Sequence, residues 1–163
     1  MRAPLLAAAL SLLLPACASS RQARRLEGRY QVGEPGDTWS RVRSGGADKA
    51  WFHEGLSATI YADSNCATRF DDRPLDKLAQ SVVYGIATSP SALRSESRTI
   101  DGRDSHLRVV DGRVDGVVVR VGVAVLKKHE CVYDLLYLAP PTTFDSGWDA
   151  FEQVLAGFRT QGD

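Results

Sequence analysis

Three histidines, with the carboxylates and the cysteine beside them, are the residues of this sequence suited to metal or acid–base chemistry. His53 is followed by Glu54, and His129 is followed by Glu130 and Cys131. These are nitrogen, oxygen and sulfur ligands of the kind that zinc prefers. Adjacent residues of a strand point to opposite faces, so each group supplies at most one or two ligands to one site. We therefore predict no metal site.

His106 is the histidine with a potential catalytic partner, because Asp104 shares its strand face and could orient it as a general base. No G-x-S-x-G turn supplies a nucleophile, and no glycine-rich loop could hold a phosphate. The segment from Asp111 resembles a calcium loop in spacing, but Arg113 takes the position of its second ligand. We predict no catalytic residue, no cofactor and no enzymatic activity. The alternative is an envelope hydrolase or metal-dependent enzyme that acts through His106 or His53.

The first twenty residues have the features of an export leader. Arg2 gives a basic start, residues 5–14 form an apolar run, and small residues surround Cys17. The run is too short to cross a bilayer comfortably as a helix. Residues 14–17, with the sequence LPAC, resemble the lipobox of bacterial lipoproteins. In those proteins the cysteine becomes the first mature residue and carries lipid on its sulfur and its amino group.

This resemblance implies an exported protein that is anchored to a membrane through lipid, including palmitate, on Cys17. Ala18 and Ser19 follow the cysteine, whereas an Asp at this place retains many such lipoproteins at the inner membrane. The resemblance to that sorting rule implies the outer membrane, facing the periplasm. The alternative takes residues 16–18 as an A-x-A site, with cleavage after Ala18 and release of a soluble secreted protein.

The two cysteines that remain after lipidation of Cys17 are Cys66 and Cys131. Their even number suits a disulfide in an oxidising compartment. Cys66 follows one apparent strand and Cys131 opens another, so a bridge between neighbouring strand ends is geometrically reasonable. We predict that they form a disulfide. Two buried thiols that never meet are the alternative.

Charge and length point to one neutral globular domain. The 163-residue chain has 20 basic and 20 acidic residues, and removal of residues 1–16 takes away Arg2 alone, which leaves 19 against 20. Near neutrality gives no electrostatic reason to bind nucleic acid, so we predict none. Residues 1–16 are the predicted signal peptide, residues 17–28 the lipid anchor and flexible tether, and residues 29–160 a single domain.

The periodicity of the apolar residues predicts strands and two helices. Residues 56–63 alternate between apolar and polar, as in a strand with one face on the core. After Pro74 the apolar residues recur at helical spacing through Ile86, and this helix should end near Pro90. A second helix follows Pro141 and begins after Thr143 as N-cap, with an aromatic stripe that we expect to pack on the sheet.

A meander of strands separates the two helices, over residues 93–100, 106–110, 114–126 and 131–138. Asp101-Gly102 and Asp111-Gly112 are predicted as hairpin turns. The strand over residues 114–126 is apolar on both sides, which predicts a central position with a helix layer above and below. The chain is thus predicted to be an α+β domain, a mostly antiparallel sheet with helices on both faces, or α/β/α sandwich.

This order of elements resembles the Mog1/PsbP-like fold over roughly residues 28–160. The resemblance depends on the element order and on a few positions, namely Pro35, Trp39, Gly102, Phe151, Val154, Leu155 and Phe158. It implies a binding or assembly module rather than a reaction. We therefore expect a non-enzymatic envelope lipoprotein that contacts the membrane through its anchor and binds an envelope protein or a lipid-like ligand close to the membrane. A small-ligand carrier with a groove lined by Tyr61, Tyr133 and Tyr137 is a further alternative.

Overall fold

The computed structural model describes residues 28–43, 45–66 and 72–161. The predicted signal peptide, Cys17 and nearly all of the predicted tether lie outside these residues. In chain order the elements are β1 (Tyr30–Gln31), β2 (Ser40–Arg41), β3 (Lys49–His53), a 3-10 turn (Glu54–Leu56), β4 (Ala58–Asn65), α1 (Leu75–Ile86), β5 (Thr88–Ile100), β6 (Arg103–Val114), β7 (Val117–Lys128), β8 (Cys131–Ala139), α2 (Phe144–Ala156) and β9 (Arg159–Thr160).

Seven strands form one sheet in the order β2-β3-β4-β8-β7-β6-β5, and each neighbouring pair is antiparallel. The two short terminal strands make a separate antiparallel pair, with Tyr30 opposite Thr160. The prediction of a mostly antiparallel sheet with two helices is confirmed. The 3.6-residue and 2-residue periods predicted these elements, because an amphipathic helix or a half-buried strand has one apolar side to bury.

Each hairpin turn of the meander contains a pair of residues with positive φ. Asp101 and Gly102 have φ angles of 50° and 69° and join β5 to β6, as predicted. The predicted turn at Asp111-Gly112 is wrong, because both residues lie inside β6 and the turn to β7 comes four residues later. Asp111 instead pairs with Arg120 across the hairpin at 2.7 Å. Gly112 leaves room for Ala87, whose Cβ would lie 2.9 Å from a Cβ added there.

Helix α1 begins directly after Pro74, as predicted, and buries Leu78, Ala79 and Val83. It ends at Ile86, slightly earlier than expected, and the chain is already extended at the next residue. Strand β5 is correspondingly longer than predicted and includes Pro90. This strand is at the end of the sheet, where the missing N–H of a proline is tolerated.

Strand β7 is apolar on both sides, and its residues belong to two separate core clusters. One cluster contains Val121, Val123, Val125 and the buried residues of α1. The other contains Ala124 and Leu126 together with the buried residues of α2. All of these β7 side chains are fully buried, so the predicted central place of this strand in the core is confirmed.

Helix α2 carries the predicted aromatic stripe, and its Phe144 and Phe151 are buried in the core together with Leu155. Thr143 precedes the helix as predicted, but its hydroxyl donates to the Leu56 carbonyl at 2.8 Å instead of capping a helix N–H. The threonine thus ties α2 to the turn before β4. Neither α1 nor α2 is long and apolar enough to cross a membrane.

The structure contains the predicted disulfide between Cys66 and Cys131. Cys66 directly follows β4, and Cys131 is the first residue of β8. The two strands are neighbours, and Asn65 pairs with Val132 in their register. The bond therefore joins two adjacent strand ends, which is the arrangement that the sequence suggested.

Candidate functional site

A cavity between α1 and the sheet is the strongest candidate site. It has a volume of about 460 Å³. A smaller cavity of about 220 Å³ adjoins it and shares Asp63, Val82 and Asp134. We call the two together the α1 groove. The larger part is lined by Gly46, Ala47, Tyr61, Asp63, Val82, Ile86, Val114, Asp134, Leu136 and Leu138.

Two carboxylates meet on the floor of the α1 groove. Asp63 on β4 and Asp134 on β8 are directly opposite each other in the antiparallel register. Burial raises the pKa of Asp134 to about 7, and the negative charge of Asp63 adds to the rise. Such a carboxyl exchanges its proton near neutral pH, and its ionised form accepts hydrogen bonds from a cation.

The polar groups at the narrow end of the groove come from both sides of it. Arg73, just before α1, lines the smaller cavity and donates from Nη2 to the Ser81 hydroxyl at 2.8 Å. Asn65, two residues beyond Asp63, lines the same cavity. The groove is thus apolar toward Ile86 and Leu138 and polar toward its narrow end. Ligand sites commonly combine apolar walls with a few convergent polar groups in this way.

A second cavity, of about 510 Å³, lies between the end of β5 and α2, and charged residues line much of it. Arg98 donates to both oxygens of Glu152 at 2.8 Å. The ammonium of Lys128 lies 3.0 Å from the Asp101 carboxylate. These charged side chains are paired with one another. The cavity is therefore a weaker candidate for a ligand site than the α1 groove.

His53 and His129 occupy structural positions. The His53 Nδ1 accepts the backbone N–H of Leu56 at 3.2 Å and so caps the 3-10 turn. His129 is in the tight turn between β7 and β8, with a φ of 51°. Within the described residues, no three His, Cys, Asp or Glu side chains are grouped so as to hold a metal ion.

His106 has a neighbour that the sequence did not reveal. The Ser95 hydroxyl on β5 lies 2.9 Å from the His106 Nε2, so a potential nucleophile does stand beside this histidine. Strand pairing makes the contact, because Ser97 is opposite His106 and Ser95 is on the same side of the strand two residues away. The pair is on the exposed part of the sheet, and Ser95 is at its edge strand.

The three tyrosines considered for a ligand groove do not come together. Tyr133 and Tyr137 are buried in the core with α2. Tyr61 packs against the cluster that contains α1, and it is the only one of the three that lines the α1 groove. The Tyr137 hydroxyl donates to the Phe144 carbonyl at 2.9 Å, which is a structural role.

The Asp63–Asp134 pair was not predicted from the sequence. The two residues are far apart in the chain, and only the pairing of β4 with β8 brings them together. One local signal was present, because Asp134 interrupts an otherwise apolar strand, CVYDLLYLA. A carboxylate at such a position is costly to bury, so its presence indicates a functional position.

No protein-family model and no curated protein matches this sequence. Several solved structures share the fold. LpqN of Mycobacterium tuberculosis, described as involved in cell envelope biogenesis, has a TM-score of 0.62 at 13% identity, covering 82% of this chain and 83% of that one. The PsbP protein CyanoP of Synechocystis sp. PCC 6803 has a TM-score of 0.60 at 12% identity, covering 82% and 88%.

A third similar structure is a Pseudomonas aeruginosa protein of unknown function, with a TM-score of 0.53 at 14% identity, covering 77% of this chain and 83% of that one. At such identities these similarities show the fold alone. They support the PsbP-like fold that the order of elements implied. Function must therefore be argued from the residues of this chain.

Proposed function

We propose that this protein is a membrane-anchored lipoprotein of the bacterial envelope that acts as a non-enzymatic binding module, with the α1 groove as its binding surface. Cys17 carries the lipid, residues 17–28 are the tether, and residues 29–160 form the single binding domain. The observation that carries the proposal is the groove itself, in which apolar walls surround the Asp63–Asp134 pair. Its occupant is an envelope partner or a lipid-like ligand close to the membrane.

Three independent observations support the envelope location. Residues 14–17 resemble a lipobox. The Cys66–Cys131 disulfide suits an oxidising compartment. LpqN, which has a similar fold, is described as involved in cell envelope biogenesis. The residues after Cys17, Ala18 and Ser19, favour the outer membrane with the domain facing the periplasm.

We also infer the finer architecture, an α/β/α sandwich with one helix on each face of the sheet. Val123 of β7 packs in the cluster with α1, and the next residue, Ala124, packs in the cluster with α2. Because successive residues of a strand point to opposite faces, this alternation supports helices on opposite sides.

Radiolabelled palmitate tests the anchor. We expect the wild-type protein to incorporate the label and a Cys17→Ser variant to incorporate none. Mass spectrometry of the mature amino terminus should show a lipidated cysteine as the first residue. An unlabelled wild-type protein that starts after Ala18 would overturn the anchor and leave a secreted protein.

Site-specific photo-crosslinking tests the groove. A benzophenone amino acid in place of Ile86 lies at the groove, whereas one in place of Leu93, an exposed residue of the edge strand, does not line it. We expect adducts in intact cells from position 86 and not from position 93. Equal adducts from both positions, or none from position 86, would contradict a binding role for the groove.

A second candidate function, an envelope hydrolase, is favoured by the 2.9 Å contact between Ser95 and His106. Against it, none of the cavities described above is lined by either residue, and an exposed pair lacks the enclosed site that such chemistry uses. Hydrolysis of a nitrophenyl ester by wild type, with loss in both Ser95→Ala and His106→Ala, would establish this function instead.

A further inference from the structure

The walls of the α1 groove suit an apolar chain. Val82 and Ile86 project from α1, and Leu136 and Leu138 face them from β8. Tyr61 adds a half-buried aromatic side chain from β4. Transfer of an alkyl chain from water onto these side chains is favourable because apolar surface is buried on both partners. The larger cavity, about 460 Å³, has room for a chain of several carbons.

The polar end of the groove presents a buried hydrogen-bond acceptor. The Asp134 Oδ1 is buried and has no hydrogen-bond partner among the described residues. Asp63 faces it with a second carboxylate on the neighbouring strand. Arg73 brings a positive charge to the smaller cavity, but its Nη2 donates to Ser81. A buried acceptor without a donor is costly, and a charged donor removes that cost.

We propose that the α1 groove binds a ligand made of an apolar chain with a protonated primary amine at its end, and that Asp134 accepts the ammonium N–H. The apolar chain lies between α1 and β8. This inference rests on the proposed function, because it names the chemical class of ligand for the same groove.

Other ligand classes match the groove less well. A fatty acid would bring a third carboxylate beside Asp63 and Asp134. An uncharged alcohol could donate one hydrogen bond to Asp134 but would bring no positive charge to it. A calcium ion needs six to eight oxygen ligands, and no three His, Cys, Asp or Glu side chains of the described residues are grouped to hold a metal ion. An alkylammonium ion brings a positive charge to the Asp134 carboxylate and an apolar chain to the walls of the groove.

Titration calorimetry with octylamine tests the proposal on the processed lipoprotein in zwitterionic nanodiscs, with empty nanodiscs as the blank. We expect saturable binding of octylamine to wild type. Octanol and octanoate should bind at least about tenfold more weakly, since a charge-assisted hydrogen bond is worth this much or more. Equal binding of octanol or octanoate would overturn the role of the carboxylates.

The Asp134→Asn variant removes the negative charge with little change in shape. We expect it to lose at least about tenfold in octylamine affinity. Asp104→Asn, at an exposed position of β6 outside the groove, is the matched control and should bind as wild type does. Unchanged binding by Asp134→Asn would refute the proposal. A melting temperature no lower than that of wild type would show that lost binding is not lost folding.

A pH series on the wild-type protein gives a second readout that needs no variant. Octylamine stays protonated below pH 8, as an alkylamine with a lysine-like pKa does. Among the described residues, Asp63 on β4 and Arg73 before α1 are the charged groups that line the groove with Asp134. We expect octylamine affinity to fall as the pH is lowered from 8 to 5, because Asp134 takes up a proton. Affinity that rises or stays level over this range would contradict the proposal.

These outcomes are distinguishable from failure of the proposed function. Specific crosslinks from position 86 without octylamine binding would refute the ligand class and leave the binding module standing. Absence of palmitate on Cys17 would refute the anchor, whatever the groove binds.

Discussion

Asp134 is the residue at which this fold departs most clearly from a simple hydrophobic core. Its strand is otherwise apolar, and its neighbours Tyr133 and Leu135 are fully buried. The fold keeps a carboxyl there, opposite Asp63, although burial raises its pKa to about 7. A destabilising group of this kind is commonly retained for function.

The pKa of Asp134 predicts a pH dependence of stability. Its pKa rises from 3.8 to about 7 on folding, so between these values the native state holds a proton that the unfolded chain releases. The free energy of unfolding should therefore fall as the pH rises from about 4 to 7. Asp134→Asn should remove this decline and be more stable than wild type above pH 7, by up to about 4 kcal/mol.

Urea unfolding at pH 5, 6, 7 and 8 measures this effect. The Asp104→Asn variant should follow the wild-type pH profile, because its side chain is exposed. Profiles of Asp134→Asn and wild type that run parallel would show that this carboxyl does not carry the dependence.

The disulfide gives a second prediction for individual residues. Cys66 and Cys131 close a loop with a sequence separation of 65 residues. Replacement of both by serine should lower the free energy of unfolding by about 4 kcal/mol, through the greater entropy of the open unfolded chain. Chemical denaturation with and without reductant measures it. Reductant should destabilise wild type by a similar amount and leave the double variant unchanged.

Local sequence allowed some of these residues to be identified and not others. The cysteine pair could be predicted because only two cysteines remained and both flanked strands. The Asp63–Asp134 contact could not, because it depends on the pairing of β4 with β8, which are far apart in the chain. The Ser95–His106 contact lies within the β5–β6 hairpin, where the turn at Asp101-Gly102 fixes the register and places Ser97 opposite His106.

The two helices are elements that the sequence specified well. Pro74 and a regular apolar period defined α1, and an aromatic stripe defined α2. The hairpin at Asp111-Gly112 was mispredicted because an Asp-Gly pair carries the same local signal wherever it occurs. The segment continues as a strand because Asp111 gains an ion pair with Arg120 and Gly112 allows close packing with Ala87.

Helix packing predicts opposite effects for two glycine-to-alanine changes. A Cβ at Gly147 of α2 would clash with the Tyr137 hydroxyl, which is held in the core. We expect Gly147→Ala to lower the free energy of unfolding by about 1–3 kcal/mol. At Gly85 of α1 a Cβ meets open space, so Gly85→Ala should raise it by about 0.5–1 kcal/mol.

Thermal and urea denaturation of the two variants provides the comparison. Both positions are helical, so helix propensity affects both variants. The difference between their free energies of unfolding therefore reports the contact with Tyr137. Stabilisation by both alanines would mean that α2 does not lie as close to β8 as described.

At the scale of the whole molecule, the proposed anchor would decide at which membrane the groove works. The proposed lipid on Cys17 is followed by Ala18 and Ser19, which favours the outer membrane. We expect Ala18→Asp to move the protein to the inner membrane, since an Asp at this place retains many bacterial lipoproteins there. Density-gradient separation of the two membranes measures the shift.

The matched control for this change is Ala18→Asn, which introduces a side chain of similar size without its charge. It should remain in the outer-membrane fraction. Equal distribution of wild type and Ala18→Asp between the fractions would contradict the sorting rule for this protein.

The Cys66–Cys131 bond also has a mechanical consequence. The Gly28 N–H donates to the Ser64 hydroxyl at 2.7 Å, so tension on the chain before Gly28 reaches β4 two residues from the bond. Such a pull can separate β1 from β9, but it cannot draw β4 away from β8 at the cross-link. In force spectroscopy the oxidised domain should therefore extend about 220 Å less than the reduced one, the length of the loop that stays closed.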